Sequence, residues 1–201
     1  MGGGRHPVKV GVFGGTFDPV HVGHLAIANA ALESLPLDRV LFVIARRSPL
    51  KDRGPVAGEA DRLRMLELAV AGEPRFAVSR VELDRDGPSY TVETLERLAG
   101  TDDLFLILGS DAIADFPRWK DPERIAALAT LVVAERPDAP ERAGDAPIIR
   151  FDAPRIDISS RELRARAARG RSLRYLVPEP TWKHIEARGL YRAEGSTSRT
   201  T

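Results

Sequence analysis

Apolar residues along this chain come in two alternating textures: short unbroken runs, and longer stretches spaced three and four apart. Val8–Phe13, Val40–Ile44, Leu104–Leu108 and Leu131–Ala134 are of the first kind. They lack polar alternation, as strands buried on both faces do. Phe76–Val78 and Ile148–Phe151 read as shorter strands. Between them, Gly23–Leu35 carries Leu25, Ala28, Ala31, Leu32 and Leu35 at helical spacing. Glu59–Ala71 does so with Leu63, Leu66, Leu68 and Val70, and Thr91–Leu98 with Val92, Leu95 and Leu98. Asp121–Leu128 reads as a helix with Pro122 in its first turn. Ser160–Arg169 and Glu179–Arg188 are the last two helices, the second closed by Gly189 as a C-cap. Arg46–Gly58, Asp84–Ser89 and Pro137–Pro147 read as loops.

Strand alternates with helix over nearly the whole length, which predicts an α/β fold: a doubly wound, mostly parallel sheet with helices on both faces. Residues 1–193 form one domain on this reading, with the late helices at 159–190 as a small C-terminal subregion and 194–201 as a disordered tail. Such sheets bind ligands beyond the carboxyl ends of their strands. The chemistry is therefore expected in Gly14–His24, Arg46–Lys51, Gly109–Trp119 and the approach to a late helix, Ile158–Arg164.

Composition narrows this without redirecting it. A chain of 201 residues can bury a full core without staples, and it has no cysteine, so disulfides, zinc–thiolate sites and a thiol nucleophile are excluded. The lack of cysteine fits a reducing compartment such as the cytoplasm. Met1–Pro7 has no apolar signal core, and the longest strongly apolar run, Ile125–Ala134, is half the ~20 residues of a membrane span. Net charge is +1, so no bulk attraction to nucleic acid or membrane is expected. Of 30 Lys+Arg only four are lysines, yet acids are interspersed almost everywhere, which is the pattern of an ordinary charged surface.

The segment Gly14-Gly15-Thr16-Phe17-Asp18-Pro19-Val20-His21-Val22-Gly23-His24 joins the first strand to the first helix. It lacks both the G-x-G-x-x-G dinucleotide fingerprint and the G-x-x-x-x-G-K-[ST] P-loop. It offers a different phosphate site. Gly14 and Gly15 let backbone approach a ligand, or else form a plain tight turn. His21 and His24, three apart at a helix start, can point the same way. There the free N–H groups and the positive helix end attract phosphate, and imidazoles can donate to a phosphoryl group gaining charge. A metal role for the pair lacks an evident third ligand.

This segment resembles the (T/H)xGH motif of the nucleotidyltransferase superfamily, through His21-Val22-Gly23-His24. The longer string is similar to that of bacterial nicotinate-nucleotide adenylyltransferases. Further matches follow in order: Ser48-Pro49-Leu50-Lys51, Pro88-Ser89-Tyr90-Thr91, Gly109-Ser110-Asp111, Phe116 with Trp119, and Ile158-Ser159-Ser160 with Arg164. Together they span roughly residues 8–190. Two positions depart from the family pattern. Arg161 stands where Thr usually follows the Ser-Ser pair, and Leu50 precedes Lys51 where a His is frequent.

The resemblance implies adenylyl transfer from ATP to nicotinate mononucleotide, by direct in-line attack, with magnesium carried on ATP and no protein metal ligand. It implies catalytic roles for His21, His24, Lys51 and Arg164. ATP would be held by Gly14, Gly15, Thr16, Phe17, Gly109, Asp111, Ile158, Ser159 and Ser160. Nicotinate mononucleotide would be held by Lys51, Tyr90, Thr91 and Trp119. Several of these positions carry a second reading. Lys51 could be a solvated loop lysine, Asp111 an N-cap, Trp119 core packing against Phe116, and Ser159-x-x-Glu162 a capping box. Trp182 reads as packing of the last helix. Two alternatives remain: a sister nucleotidyltransferase with another acceptor, such as phosphopantetheine, and a non-catalytic nucleotide-binding protein. Oligomeric state is not legible.

Overall fold

A computed structural model describes residues 6–47, 54–100, 102–134 and 147–193. The expectations for Lys51, for most of the Pro137–Pro147 loop and for the 194–201 tail fall outside the described residues. Six strands form one sheet: β1 (Lys9–Gly15), β2 (Arg39–Ile44), β3 (Phe76–Ser79), β4 (Asp103–Leu108), β5 (Thr130–Ala134) and β6 (Ile148–Phe151). Every neighbouring pair is parallel, in the order β3-β2-β1-β4-β5-β6. The chain therefore winds outward one way from β1 to β3, then crosses back to β4 and winds the other way. The crevice between β1 and β4 is the point where strand order reverses, and ligands favour that crevice.

Among the described residues seven helices flank the sheet, the last two after its final strand: α1 (Val22–Ser34), α2 (Glu59–Val70), α3 (Thr91–Leu98), α4 (Ser110–Asp115), α5 (Pro122–Leu128), α6 (Ser160–Ala168) and α7 (Glu179–Arg188). The strand side chains sort them into two layers. Phe13, Val40, Phe42, Ile44, Ile107 and Val132 point into one core with α1, α2, α6 and α7. Val10, Val12, Val43, Leu104, Leu106, Leu131 and Val133 point into the other with α3, α4 and α5. This period of two along strands without polar alternation is what a sheet covered on both faces requires. Gly11 leaves room for close packing, since a Cβ there would stand 2.9 Å from the terminal methyls of both Ile107 and Leu37 and force them to shift.

Two local expectations are corrected. Gly14 and Gly15 are not a tight turn: they extend β1, in register with Val43 and Ile44 of β2. The added ladder carries the strand past its apolar run to the sheet's edge. Gly109–Trp119 is not a simple loop. It holds α4 and then a 3-10 turn, Phe116–Arg118, with Ile113 and Phe116 buried against the second core. The helix is only six residues long and two of its residues are acidic, so it leaves almost no apolar period in the sequence.

Candidate active site

Beyond the carboxyl ends of β1, β2 and β4 lies a cavity of about 580 Å³. Gly14–Thr16 line it from β1, Ala45 from just beyond β2, Leu108 and Gly109 from the end of β4. Ser89, Tyr90, Thr91 and Trp119 line it as well, so the predicted acceptor residues and part of the predicted ATP cradle share one space. Gly14 is exposed, and no atom lies within 4 Å of where its Cβ would be. The missing side chain thus leaves the cavity wall open to close backbone approach.

The chain leaves β1 through Thr16 into a turn whose geometry is heavily fixed. Phe17 takes a positive φ of 46° and buries its ring among Phe13, Phe42 and His24. Its side chain is thereby committed to the core, so the expectation that it holds ATP falls to its backbone alone. Asp18 is 2% exposed. Its carboxylate accepts from Val56 N–H at 2.7 Å, Ala57 N–H at 3.2 Å and the Tyr191 hydroxyl at 2.7 Å. One buried carboxylate thereby ties the turn to the connection before α2 and to Tyr191, three residues past α7. Burial beside that carboxylate pushes the Tyr191 phenol far above its ordinary pKa, so it remains a hydrogen-bond donor.

His21 caps α1 and is 6% exposed. Its imidazole stacks on that of His24, centroids 3.7 Å apart and planes 29° apart. The His21 backbone N–H donates to His24 Nδ1 at 3.2 Å, so neutral His24 keeps its proton on Nε2. Burial pulls the His21 pKa from 6.5 down to about 4, which keeps that ring neutral at pH 7. Gly23 makes the stack feasible, because a Cβ there would press on His21 Nδ1 at 3.1 Å. Both predicted imidazoles therefore share one first turn.

The late segment docks on the same turn. Arg164 Nη1 donates to the Asp18 carbonyl at 2.6 Å, and the Ser160 hydroxyl donates to the Pro19 carbonyl at 2.9 Å. Ser159 caps α6: its Oγ accepts from Glu162 N–H at 3.2 Å, while its N–H donates to the Glu162 carboxylate at 3.1 Å. The capping-box reading is therefore realised, and Ile158–Ser160 are delivered beside the Asp18–His24 turn. His21, His24, Arg164 and Ile158–Ser160 do not line the cavity itself. The predicted residues form two adjacent groups that meet at Gly14–Thr16.

Two second readings are decided. Gly109, not Asp111, is the N-cap of α4, with Asp111 the second residue inside the helix, so the cap alternative for Asp111 is overturned. Trp119 packs as the core reading has it, its ring 5.6 Å from Phe116, and it also lines the cavity. Trp182 packs against the first core from α7, as read. Tyr90 caps α3 with Lys120 Nζ 4.5 Å above its ring. Lys120 also pairs with Glu93 at 2.8 Å, and Glu93 pairs in turn with Arg85. Among the described residues no three His, Cys, Asp or Glu side chains gather as a metal site.

Sequence reasoning missed Arg62. It sits in α2 at 0% exposure, and its Nη1 donates to the carbonyls of Thr16 at 2.8 Å and Ala45 at 2.7 Å. Burial pulls its pKa below the ordinary arginine value, and Asp18 and Glu59 offset that. A lone Arg between Asp61 and Leu63 gives no sign of this, since both acceptors are backbone atoms of other loops.

Comparison with known proteins adds three findings. A cytidylyltransferase-like family model matches residues 12–166. The probable nicotinate-nucleotide adenylyltransferase of Thermus thermophilus is 50% identical over 188 residues, covering 92% of this chain and 100% of that protein. A protein of the same name from Roseiflexus castenholzii is 48% identical, covering 92% and 98%. Among solved structures, Plasmodium falciparum nicotinic acid mononucleotide adenylyltransferase complexed with NaAD superposes with a TM-score of 0.72. It is 19% identical, covering 92% of this chain and 97% of that one, a likeness of fold.

Proposed function

The chain belongs to the cytidylyltransferase-like family and, within it, to the nicotinate-nucleotide adenylyltransferases, and from that premise we propose how its own residues carry the reaction. A phosphate oxygen of nicotinate mononucleotide attacks the α-phosphorus of ATP. The new P–O–P bond makes nicotinate adenine dinucleotide, and the bond to the β-phosphate breaks to release pyrophosphate. The nucleophile is already anionic at neutral pH, so positioning and charge stabilisation dominate.

The observation that carries this reading is the stacked His21–His24 pair at the start of α1, one turn from the open wall at Gly14. Neutral His21 and the Nε2 proton of His24 donate to phosphoryl oxygens as charge builds. Backbone of Gly15 and Thr16 cradles phosphate, and Arg164, already on the turn, reaches the β- and γ-phosphates with its fork. Lys51 adds a mobile cation. Ile158–Ser160 present the α6 start, and Gly109 with Asp111 take the adenosine side. Tyr90 and Trp119 offer faces to the cationic pyridinium, and Thr91 at the α3 start offers donors to its carboxylate. Magnesium arrives on ATP, held by phosphate oxygens and water, with no protein ligand assigned. A cytoplasmic setting belongs to the same reading, since both substrates are metabolites of that compartment.

The test is an acceptor comparison with ATP and magnesium, following pyrophosphate. Release with nicotinate mononucleotide and none with phosphopantetheine is expected. The reverse pattern would assign the chain to a sister activity, and ATP binding without turnover of either would make it a binding protein.

A further inference from the structure

The cavity has two walls from opposite faces of the sheet. Thr16 belongs to the turn that leads into α1, on the first face. Ser89 immediately precedes Tyr90 and Thr91 at the start of α3, on the second. What sets one wall against the other is not the ladder of the sheet, because both stand beyond its edge.

Arg62 engages a peptide unit on each side. Its Nη1 donates to the Thr16 carbonyl at 2.8 Å and to the Ala45 carbonyl at 2.7 Å. In a trans peptide the carbonyl and the following N–H point opposite ways. With the Ala45 carbonyl drawn to Arg62, the Arg46 N–H is turned outward, and there it donates to Ser89 Oγ at 3.1 Å. Ser89 answers with its own N–H, which donates to the Arg47 carbonyl at 2.9 Å. The Ala45 N–H donates back to the Gly15 carbonyl at 2.8 Å. Arg62 and Ser89 are both buried, which shields these bonds from bulk solvent, the Arg62–Ala45 bond most fully.

The geometry points to Arg62 as a positioning residue that holds the phosphate cradle and the acceptor wall in one register, through the Ala45–Arg46 peptide and Ser89. This rests on the adenylyl-transfer reading above. It adds that one guanidinium outside the ligand cavity sets the distance between the two substrates. In-line attack depends on that distance more steeply than either binding step does: a misplacement of ~1 Å can cost ~100-fold in rate. Lysine keeps the charge but lacks the second nitrogen that meets the Arg46 carbonyl at 3.5 Å and the planar group that fixes Nη1 between the Thr16 and Ala45 carbonyls.

The experiment is a double-mutant cycle on Arg62→Lys and Ser89→Ala, reading kcat at saturation, ATP affinity without acceptor, and melting temperature. Each single change is expected to lower kcat by about tenfold or more, with ATP affinity within about threefold of wild type. The double variant is expected to fall little below the slower single, because both changes cut one relay. Losses that multiply, or a lower melting temperature with unchanged turnover per folded molecule, would overturn the inference. Should Arg62→Lys fail to fold, Ser89→Ala alone must show the kcat loss without the ATP-affinity loss, and wild-type turnover there would overturn it equally. A wild-type chain that forms no dinucleotide would contradict the functional reading. An active wild type with independent losses would contradict only the relay.

Discussion

His21 and His24 are joined twice: their rings stack at 3.7 Å, and the backbone N–H of the first donates to Nδ1 of the second at 3.2 Å. The pair is thus a single rigid donor unit on the first turn of α1. Stacking two charged imidazoles would set like charges against each other. Burial avoids this by keeping His21 neutral, with a pKa near 4.

That low pKa sets a pH dependence of stability. Unfolded, His21 takes a proton near pH 6.5, while folded it resists until about pH 4. The unfolded state therefore binds more protons in that window, and stability falls as pH falls from 6.5 to 4. The contribution is about 3 kcal/mol across the window. Chemical denaturation at pH 7 and pH 4.5 should show a smaller loss on acidification for His21→Gln than for wild type. Equal losses would remove His21 as the cause.

Gly14 and Gly15 separate ligand approach from packing. A Cβ at Gly14 meets nothing within 4 Å, whereas one at Gly15 would stand 3.0 Å from the Phe17 ring. Gly14→Ala should melt near the wild-type temperature and bind ATP about tenfold more weakly in calorimetric titration. Gly15→Ala should lower the melting temperature. Unchanged ATP affinity in Gly14→Ala would mean that phosphate does not approach that wall.

Arg164→Lys should keep the fold, since a lysine retains the charge facing Asp18, but lose the fork. Loss of a charge-assisted hydrogen bond of ~1.5–3 kcal/mol weakens ATP binding by at least about tenfold. A competition titration against a fluorescent ATP analogue reads this directly, and an unchanged affinity would confine Arg164 to its bond with the Asp18 carbonyl.

Ser159→Ala removes the α6 cap and should destabilise the protein by about 1 kcal/mol. The measurement is the denaturant midpoint. A loss that appears in ATP affinity with no change in midpoint would make the hydroxyl a ligand rather than a cap.

Much of this was legible from local pattern. Strands buried on both faces carry their own signature, so β2, β4 and β5 could be read within a residue or two. The Gly14–His24 string could be read because its chemistry is concentrated in eleven consecutive residues. What escaped was held together by long-range backbone acceptors. Arg62 looks like any solvated position of α2 until Thr16 and Ala45 turn their carbonyls toward it. Asp18 accepts from Tyr191, 173 positions away, and no spacing rule reaches that far. Gly14–Gly15 passed for a turn because glycine is rare in strands, and only the β2 register explains them.

The central claim is that the stacked imidazoles act on the transferring phosphoryl group rather than on ATP binding. It is tested most directly by dinucleotide formation from ATP and nicotinate mononucleotide in wild type and His21→Ala, with ATP affinity measured on the same samples. The account predicts affinity within about threefold and turnover at least ~100-fold slower in the variant. A His21→Ala chain that binds ATP and forms dinucleotide at the wild-type rate would contradict it.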